Sequence, residues 1–295
     1  MNKTKRRSYI LILLAGFFWG ITGLFFRYLE ALGVVPMEVV LLRMGSAALL
    51  LGGYMLLKDR AAFRFCIKDL WCLAGAGMAC LLMFASYFKA MTYTTLAVAG
   101  VLLYTAPGFV VVFSAVLFKE RITVQKVFAL LLLFGGCLCC GGVVGSSQTL
   151  TFAGLATGVT SGVAYSLYTI FSRFSTLRGY SAYTITFYAM LFGSIGALFL
   201  VDLPALAAKM TPSVFGLGMG IGFFCCVLPY LLYTAGMQKI ENGEAAMLAT
   251  SEPLVAALFS VVWFGEPMTV FTVLGVMLMV MGILAMNMQL SRKKA

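Results

Sequence analysis

The chain has 295 residues, of which 62% are hydrophobic and 11% charged, with a net charge of +11 and no histidine. Soluble domains carry about 25% charged residues, so this composition leaves no room for a sizeable soluble domain and implies an all-α integral membrane protein. Without histidine there are no Ser-His or Cys-His dyads, HExxH zinc sites or histidine-ligated haem, and Lys and Arg cluster in short segments between apolar runs as topology signals rather than as a nucleic-acid surface.

In chain order, Lys3, Lys5, Arg6 and Arg7 precede an apolar run that begins at Tyr9. It is too long for a secretory h-region and a second span follows, so it is expected to remain as the first membrane helix. Apolar runs bounded by charge, Pro or Gly predict ten spans: 9–26, 36–57, 70–88, 96–118, 127–144, 155–171, 183–201, 214–237, 245–264 and 270–288. With the N-terminus inside, seventeen Lys and Arg fall in cytoplasmic segments against three outside, Arg27, Lys89 and Lys209. That bias places both termini in the cytoplasm and the protein in an inner or plasma membrane. The eight cysteines lie mostly within apolar runs, so they read as reduced packing residues. Gly154, Gly158 and Gly162, and the pairs Gly216 with Gly220 and Gly218 with Gly222, have the spacing that brings membrane helices close.

The stretch 242–266 organises the rest. It opens with a short polar turn and then runs apolar, yet carries Glu252 about 10 Å inside its end and Pro253 directly after. A near-copy lies 146 positions earlier. Pro107, Phe113, Ser114, Val116, Phe118, Glu120 and Thr123 match Pro253, Phe259, Ser260, Val262, Phe264, Glu266 and Thr269, seven identities across 107–123. The same offset pairs Gly16 with Gly162, Arg27 with Arg173, Tyr87 with Tyr233, Ala99 with Ala245 and Gly136 with Gly282. Two halves are therefore expected, 1–146 and 147–295. With five helices each, the second enters the membrane inverted, as in transporters that work by alternating access around a midplane site.

Trp19-Gly20 in the first helix, Arg43 in the second, and two Pro-containing segments that end in Glu-x-x-Thr, each followed by a Gly in the next helix, carry a resemblance. The chain resembles EamA-type members of the drug/metabolite transporter superfamily. The resemblance implies ten helices in two inverted repeats and the transport of small metabolites, often export of amino acids or related compounds. One departure matters: the first half has Ala106 where the second has Glu252.

Glu252 is the first candidate. A charged carboxylate in hydrocarbon costs at least about 2.5 kcal/mol, so it should face a cavity or a partner, as a cation or proton site or as a buried acid bonded to Thr250, Ser251 or a neighbouring helix. Arg43, about seven residues inside its span, stays charged and must pair or line water; it suits a substrate carboxylate and suits equally a structural anchor. Trp19, Tyr104 and Tyr165 sit mid-helix, away from the interfacial aromatic belts, where they can stack on a substrate or simply pack. Tyr168, Tyr230 and Tyr233 follow as further substrate contacts. Pro107, Pro229 and Pro253 are expected to break or bend their helices, with freed carbonyls at the cavity. Glu120 and Glu266 mark corresponding helix ends and are expected to cap or pair at a gate, and Lys89 to snorkel to the interface.

These readings converge on a secondary transporter that exports a small polar or zwitterionic, amino-acid-like metabolite. The alternative is proton-coupled efflux of cationic lipophilic compounds with Glu252 as the shared site. The expected partners are a small-molecule substrate, protons at Glu252 and the bilayer, with no nucleic acid, in a monomer or a homodimer. No GxxxxGK[ST] motif occurs, and no cofactor, metal or catalytic residue is expected.

Overall fold

The computed structural model describes residues 3–94, 96–140, 151–264 and 269–292, and among them every regular element is helical. The α-helices are α1 (Lys3–Gly20), α2 (Thr22–Ala31), α3 (Pro36–Lys58), α4 (Leu70–Met91), α5 (Leu96–Leu103), α6 (Ala106–Phe118), α7 (Val124–Cys140) and α8 (Phe152–Leu177). They continue as α9 (Ala182–Leu198), α10 (Leu203–Ala208), α11 (Pro212–Gly222), α12 (Leu228–Met237), α13 (Asn242–Ala249), α14 (Ser251–Phe264) and α15 (Val270–Arg292). Six stretches are long and apolar enough to cross a bilayer: Thr4–Ala31, Pro36–Lys58, Ile67–Met91, Val98–Phe118, Pro212–Met237 and Asn242–Trp263. Shorter apolar helices cover Val124–Cys139, Ala182–Leu198 and Val270–Ala285.

Local chemistry explains the starts. Thr151, Ser181, Asp202 and Thr211 each accept a hydrogen bond from the backbone N–H three residues on, satisfying an orphan donor at the head of α8, α9, α10 and α11. Proline opens α3, α10 and α11, where its missing N–H costs nothing.

Four membrane stretches are irregular in the middle. α1 gives way to α2 at Ile21, α5 to α6 at Tyr104 and Thr105, and α13 to α14 at Thr250, while a π turn over Phe223–Val227 joins α11 to α12. Backbone groups freed inside a bilayer must be met by protein or by water in a cavity. Two threonines do this locally: Thr105 Oγ1 donates to Leu102 O at 2.6 Å and Thr250 Oγ1 to Met247 O at 2.5 Å. The third case joins two helices. Pro229 has no N–H to give Cys225 O, four residues back, and Arg43 Nη2 donates to that carbonyl at 3.2 Å.

Glycines set the closest crossings. A Cβ on Gly20 would lie 2.6 Å from Val255 Cβ and 2.9 Å from Glu252 O, and one on Gly16 would strike Ser251 Oγ, so α1 lies directly on the start of α14. Gly162 does the same for α8, where a Cβ would strike Thr105 Oγ1 and lie 3.0 Å from Leu102 O. A Cβ on Gly136 would lie 2.8 Å from Gly275 O and one on Gly282 3.2 Å from Ala129 O, a reciprocal close approach of α7 and α15. Gly162→Ala is therefore expected to cost about 1–3 kcal/mol, because the Thr105 hydroxyl, hydrogen-bonded to Leu102 O, and the backbone beneath it both have to give way. Thermal unfolding in detergent should fall by several degrees, against no change for Gly216→Ala, which meets nothing within 4 Å.

Candidate functional site

A cavity of about 340 Å³ opens among these broken helices, a volume within the usual range for a small-molecule site. Its lining runs from buried Trp19, Arg43 and Tyr230 out to exposed Gly23 and Arg27, so it opens toward the end of α2 and away from the face that carries Lys5. Six of the eight residues expected at a substrate line it together: Glu252, Arg43, Trp19, Tyr104, Tyr165 and Tyr230.

Each is aimed by local geometry. Glu252 lies in the first turn of α14, where Gly16 and Gly20 hold that turn against α1, and its carboxylate lies beside Tyr104. Arg43 is 5% exposed; its Nε donates to Cys226 Sγ at 3.2 Å, its Nη2 to Cys225 O, and its guanidinium lies 4.3 Å from the Phe84 ring centre. No ion pair joins Arg43 to Glu252 among the described residues, although both line the one cavity. Trp19 forms the floor, edge-on to Tyr230 at 5.2 Å and to Tyr165 at 6.4 Å.

Tyr168 and Tyr233 are placed differently from the other six. They lie behind the wall and not at its surface, 1% and 0% exposed. Tyr168 packs on Tyr230 at 5.1 Å and Tyr233 on Trp19 at 5.5 Å. Their hydroxyls are met by Thr234 and Thr169, at 3.5 Å and 3.0 Å. Both sit on the inner side of their helices, and a tyrosine whose hydroxyl is satisfied by a neighbouring helix needs no ligand. The sequence reading also passed over part of the wall: Met83, Phe84, Tyr87, Phe88, Thr22 and Phe259 line the cavity. Two of these carried a signal, since Tyr87 and Phe259 belong to the pairs at the 146-residue offset.

Beyond the floor, toward the face carrying Lys5, the structure closes tightly. Glu120 Oε1 accepts from Asn242 N at 2.9 Å and Oε2 from Gly243 N at 3.4 Å, clasping the first turn of α13. Asn242 Nδ2 donates to Ser114 Oγ at 3.1 Å, and Lys126 Nζ lies 2.5 Å from Glu241 and 4.0 Å from Glu120. On the other side of α13, Glu244 accepts from Lys5 Nζ at 2.9 Å and from Tyr9 at 3.3 Å. Burial holds the Glu120 carboxyl above the ordinary carboxylate range; the Asn242 and Gly243 N–H groups and Lys126 oppose that rise. Composition hides this cluster, because Lys5 and Lys126 read in the sequence only as topology signals. Glu266, the counterpart of Glu120, lies outside the described residues. Pro107 and Pro253 stand just after the breaks at 104–105 and 250, and Lys89 Nζ sits 5.3 Å from the Tyr93 ring centre.

Comparison with known proteins agrees with this arrangement. A solved crystal structure superposes on the chain with a TM-score of 0.81, covering 98% of this chain and 99% of that one at 18% identity, which establishes a shared fold. An uncharacterized transporter of Archaeoglobus fulgidus is 30% identical over 229 residues, 76% of this chain and 80% of its own. A second from the same organism is 28% identical across 94% of this chain and 97% of its own. The uncharacterized transporter YwfM of Bacillus subtilis is 26% identical across 94% and 93%. The EamA-like transporter family pattern matches residues 6–141 and again 152–288. Helical throughout its described residues, apolar enough to span a bilayer and matched over nearly all its length, the chain belongs to the EamA-like transporter family, within the drug/metabolite transporter superfamily.

Proposed function

We propose that this chain is a secondary transporter that exports a small zwitterionic, amino-acid-like metabolite by alternating access. The observation that carries the reading is the pairing of charges in one cavity. Arg43 is a buried guanidinium whose partners are a thiol, a carbonyl and a ring, and Glu252 is a carboxylate beside Tyr104. Neither neutralises the other by direct contact, so a molecule with a carboxylate for Arg43 and an ammonium for Glu252 satisfies both at once. Trp19, Phe84, Tyr87, Tyr165 and Tyr230 then offer aromatic surface to an apolar side chain.

The machinery is ten membrane spans in two inverted halves, 1–146 and 147–295. The spans are α1 with α2, α3, α4, α5 with α6, and α7, then α8, α9, α11 with α12, α13 with α14, and α15. Equivalent packing at the 146-residue offset supports this. Gly16 meets Ser251 as Gly162 meets Thr105, Gly136 and Gly282 face each other's helices, and the break at Tyr104 corresponds to the break at Thr250. The family pattern also matches in two consecutive segments. Lys and Arg bias supports cytoplasmic termini in an inner or plasma membrane, and in that orientation the cavity faces outward.

The aromatic wall also favours a second reading, proton-coupled efflux of cationic lipophilic compounds at Glu252, against which Arg43 stands as a like charge. Counterflow in proteoliposomes separates the two. Preloaded amino acids with apolar side chains should accelerate entry of labelled zwitterion at least tenfold over empty vesicles, while organic cations leave it unchanged. Exchange of cations alone would replace the zwitterion reading with the second.

A further inference from the structure

A second, much smaller void of about 10 Å³ lies on the far side of the cavity floor. Tyr104 and Tyr165 border both spaces, so these two rings form the partition between them. The rest of the void's wall combines small Ala106, Ala246, Ala249 and Thr250 with Pro107, Val110 and Thr169. It is large enough for a single water and no more.

Its position is what singles it out. Both helix breaks that carry the duplicated prolines, at Tyr104–Thr105 and at Thr250, open onto this one spot. Pro107 and Pro253 leave Leu103 O and Ala249 O without their usual donors four residues on. Irregular backbone at membrane depth is tolerated where it lines a water-filled space, yet here the space has almost closed. Beyond it the half-helices α6 and α13 face each other, clasped at their far ends by Glu120, Ser114 and Asn242. The small side chains of Ala246 and Ala249 leave a track that would widen if α13 swung from α6 about Thr250.

Resting on the transport reading above, we infer that the cytoplasmic half of the substrate path passes between Tyr104 and Tyr165 and runs along Ala246 and Ala249, with α13 as the element that moves aside. The cavity is then where substrate binds, and the void is the collapsed remainder of its exit or entry route. Ala246 and Ala249 are passage residues: they touch substrate in transit and contribute nothing to its affinity in the cavity.

Two readouts test this. Ala246→Leu and Ala249→Leu fill the track; counterflow should fall at least tenfold while substrate binding, followed by Trp19 fluorescence, stays within twofold of wild type and reports an intact cavity. Undiminished counterflow with unchanged binding would overturn the path. The second readout needs no substrate. Ala249→Cys, nearly the size of the native residue, should react from the cytoplasmic side of inverted vesicles with a membrane-impermeant maleimide, at least tenfold faster than buried native thiols such as Cys137. Adding Glu120→Ala, which unclasps α13, should accelerate it further. Labelling no faster than wild type in both backgrounds would overturn the path. Failure of the wild type to exchange any amino acid would instead overturn the zwitterion reading and leave the labelling result standing.

Discussion

Glu252→Gln is expected to weaken binding of a zwitterion about 10–100-fold, since hydrogen bonds to charged groups are worth about 1.5–3 kcal/mol and each 1.4 kcal/mol is a factor of ten. Glutamine keeps the shape, so the loss isolates the charge. The variant should discriminate by substrate chemistry. An amino acid loses its ammonium partner, while a carboxylic acid without the amine loses nothing and gains from the removal of a like charge. Arg43→Ala should do the reverse, weakening amino acids and carboxylic acids alike while leaving simple amines unaffected. It should also lower thermal stability, because Cys225 O, which Pro229 leaves without a backbone donor, then goes unpaired in an apolar setting. Competition of amino acids, amines and carboxylic acids against labelled zwitterion in proteoliposomes reads all of these. Equal inhibition profiles for wild type and Glu252→Gln would remove Glu252 from the binding site.

Glu120→Ala and Glu120→Gln are expected to act on the closed face in different ways. Alanine strands the Asn242 and Gly243 N–H groups and deprives Lys126 of one of its two carboxylates. Leaving buried donors unmet costs about 1–3 kcal/mol, enough to shift the closed-to-open ratio about 5–150-fold toward open. Glutamine retains one acceptor without charge and should hold α13 nearly as well. The pH dependence follows from burial, which raises the Glu120 carboxyl above its ordinary range while the face is closed. A group that binds its proton more tightly in the closed state favours closure when protonated. The closed arrangement is thus fully favoured below the ordinary carboxylate pKa of about 4.3 and loses that share as pH rises through the elevated value. Lys126, Glu241, Lys5 and Glu244 surround the clasp. Cytoplasmic-side labelling of Ala249→Cys, normalised to exposed native Cys66, should rise with pH in the wild-type background. It should be flat with Glu120→Gln, and high throughout with Glu120→Ala. A pH profile unaltered by glutamine would assign the dependence to another group.

Composition and apolar run length were enough to make this an all-helical membrane chain, because a bilayer core leaves the backbone few alternatives to the helix. The same reasoning made Glu252 and Arg43 conspicuous, since an intramembrane charge has no bland explanation as cheap as a surface one. That these two, with Trp19, Tyr104, Tyr165 and Tyr230, border one cavity is a property of helix packing. It depends on where Gly16, Gly20 and Gly162 let α1 and α8 touch α14 and α5, contacts between residues more than fifty positions apart. The break at Ile21 has no proline to announce it. The division of the tyrosines into wall and backing came from which face of α8 and α12 points inward, a choice that helices apolar all round do not encode in their periodicity. The clasp on α13 was equally hidden. Lys5 and Lys126 are ordinary loop charges in sequence, and only the fold brings them to Glu244 and Glu241. The amino-acid sequence determined which groups lipid could not leave alone; tertiary contact decided which of them share a cavity and which close it, because that pairing depends on distances the chain acquires only when its helices pack.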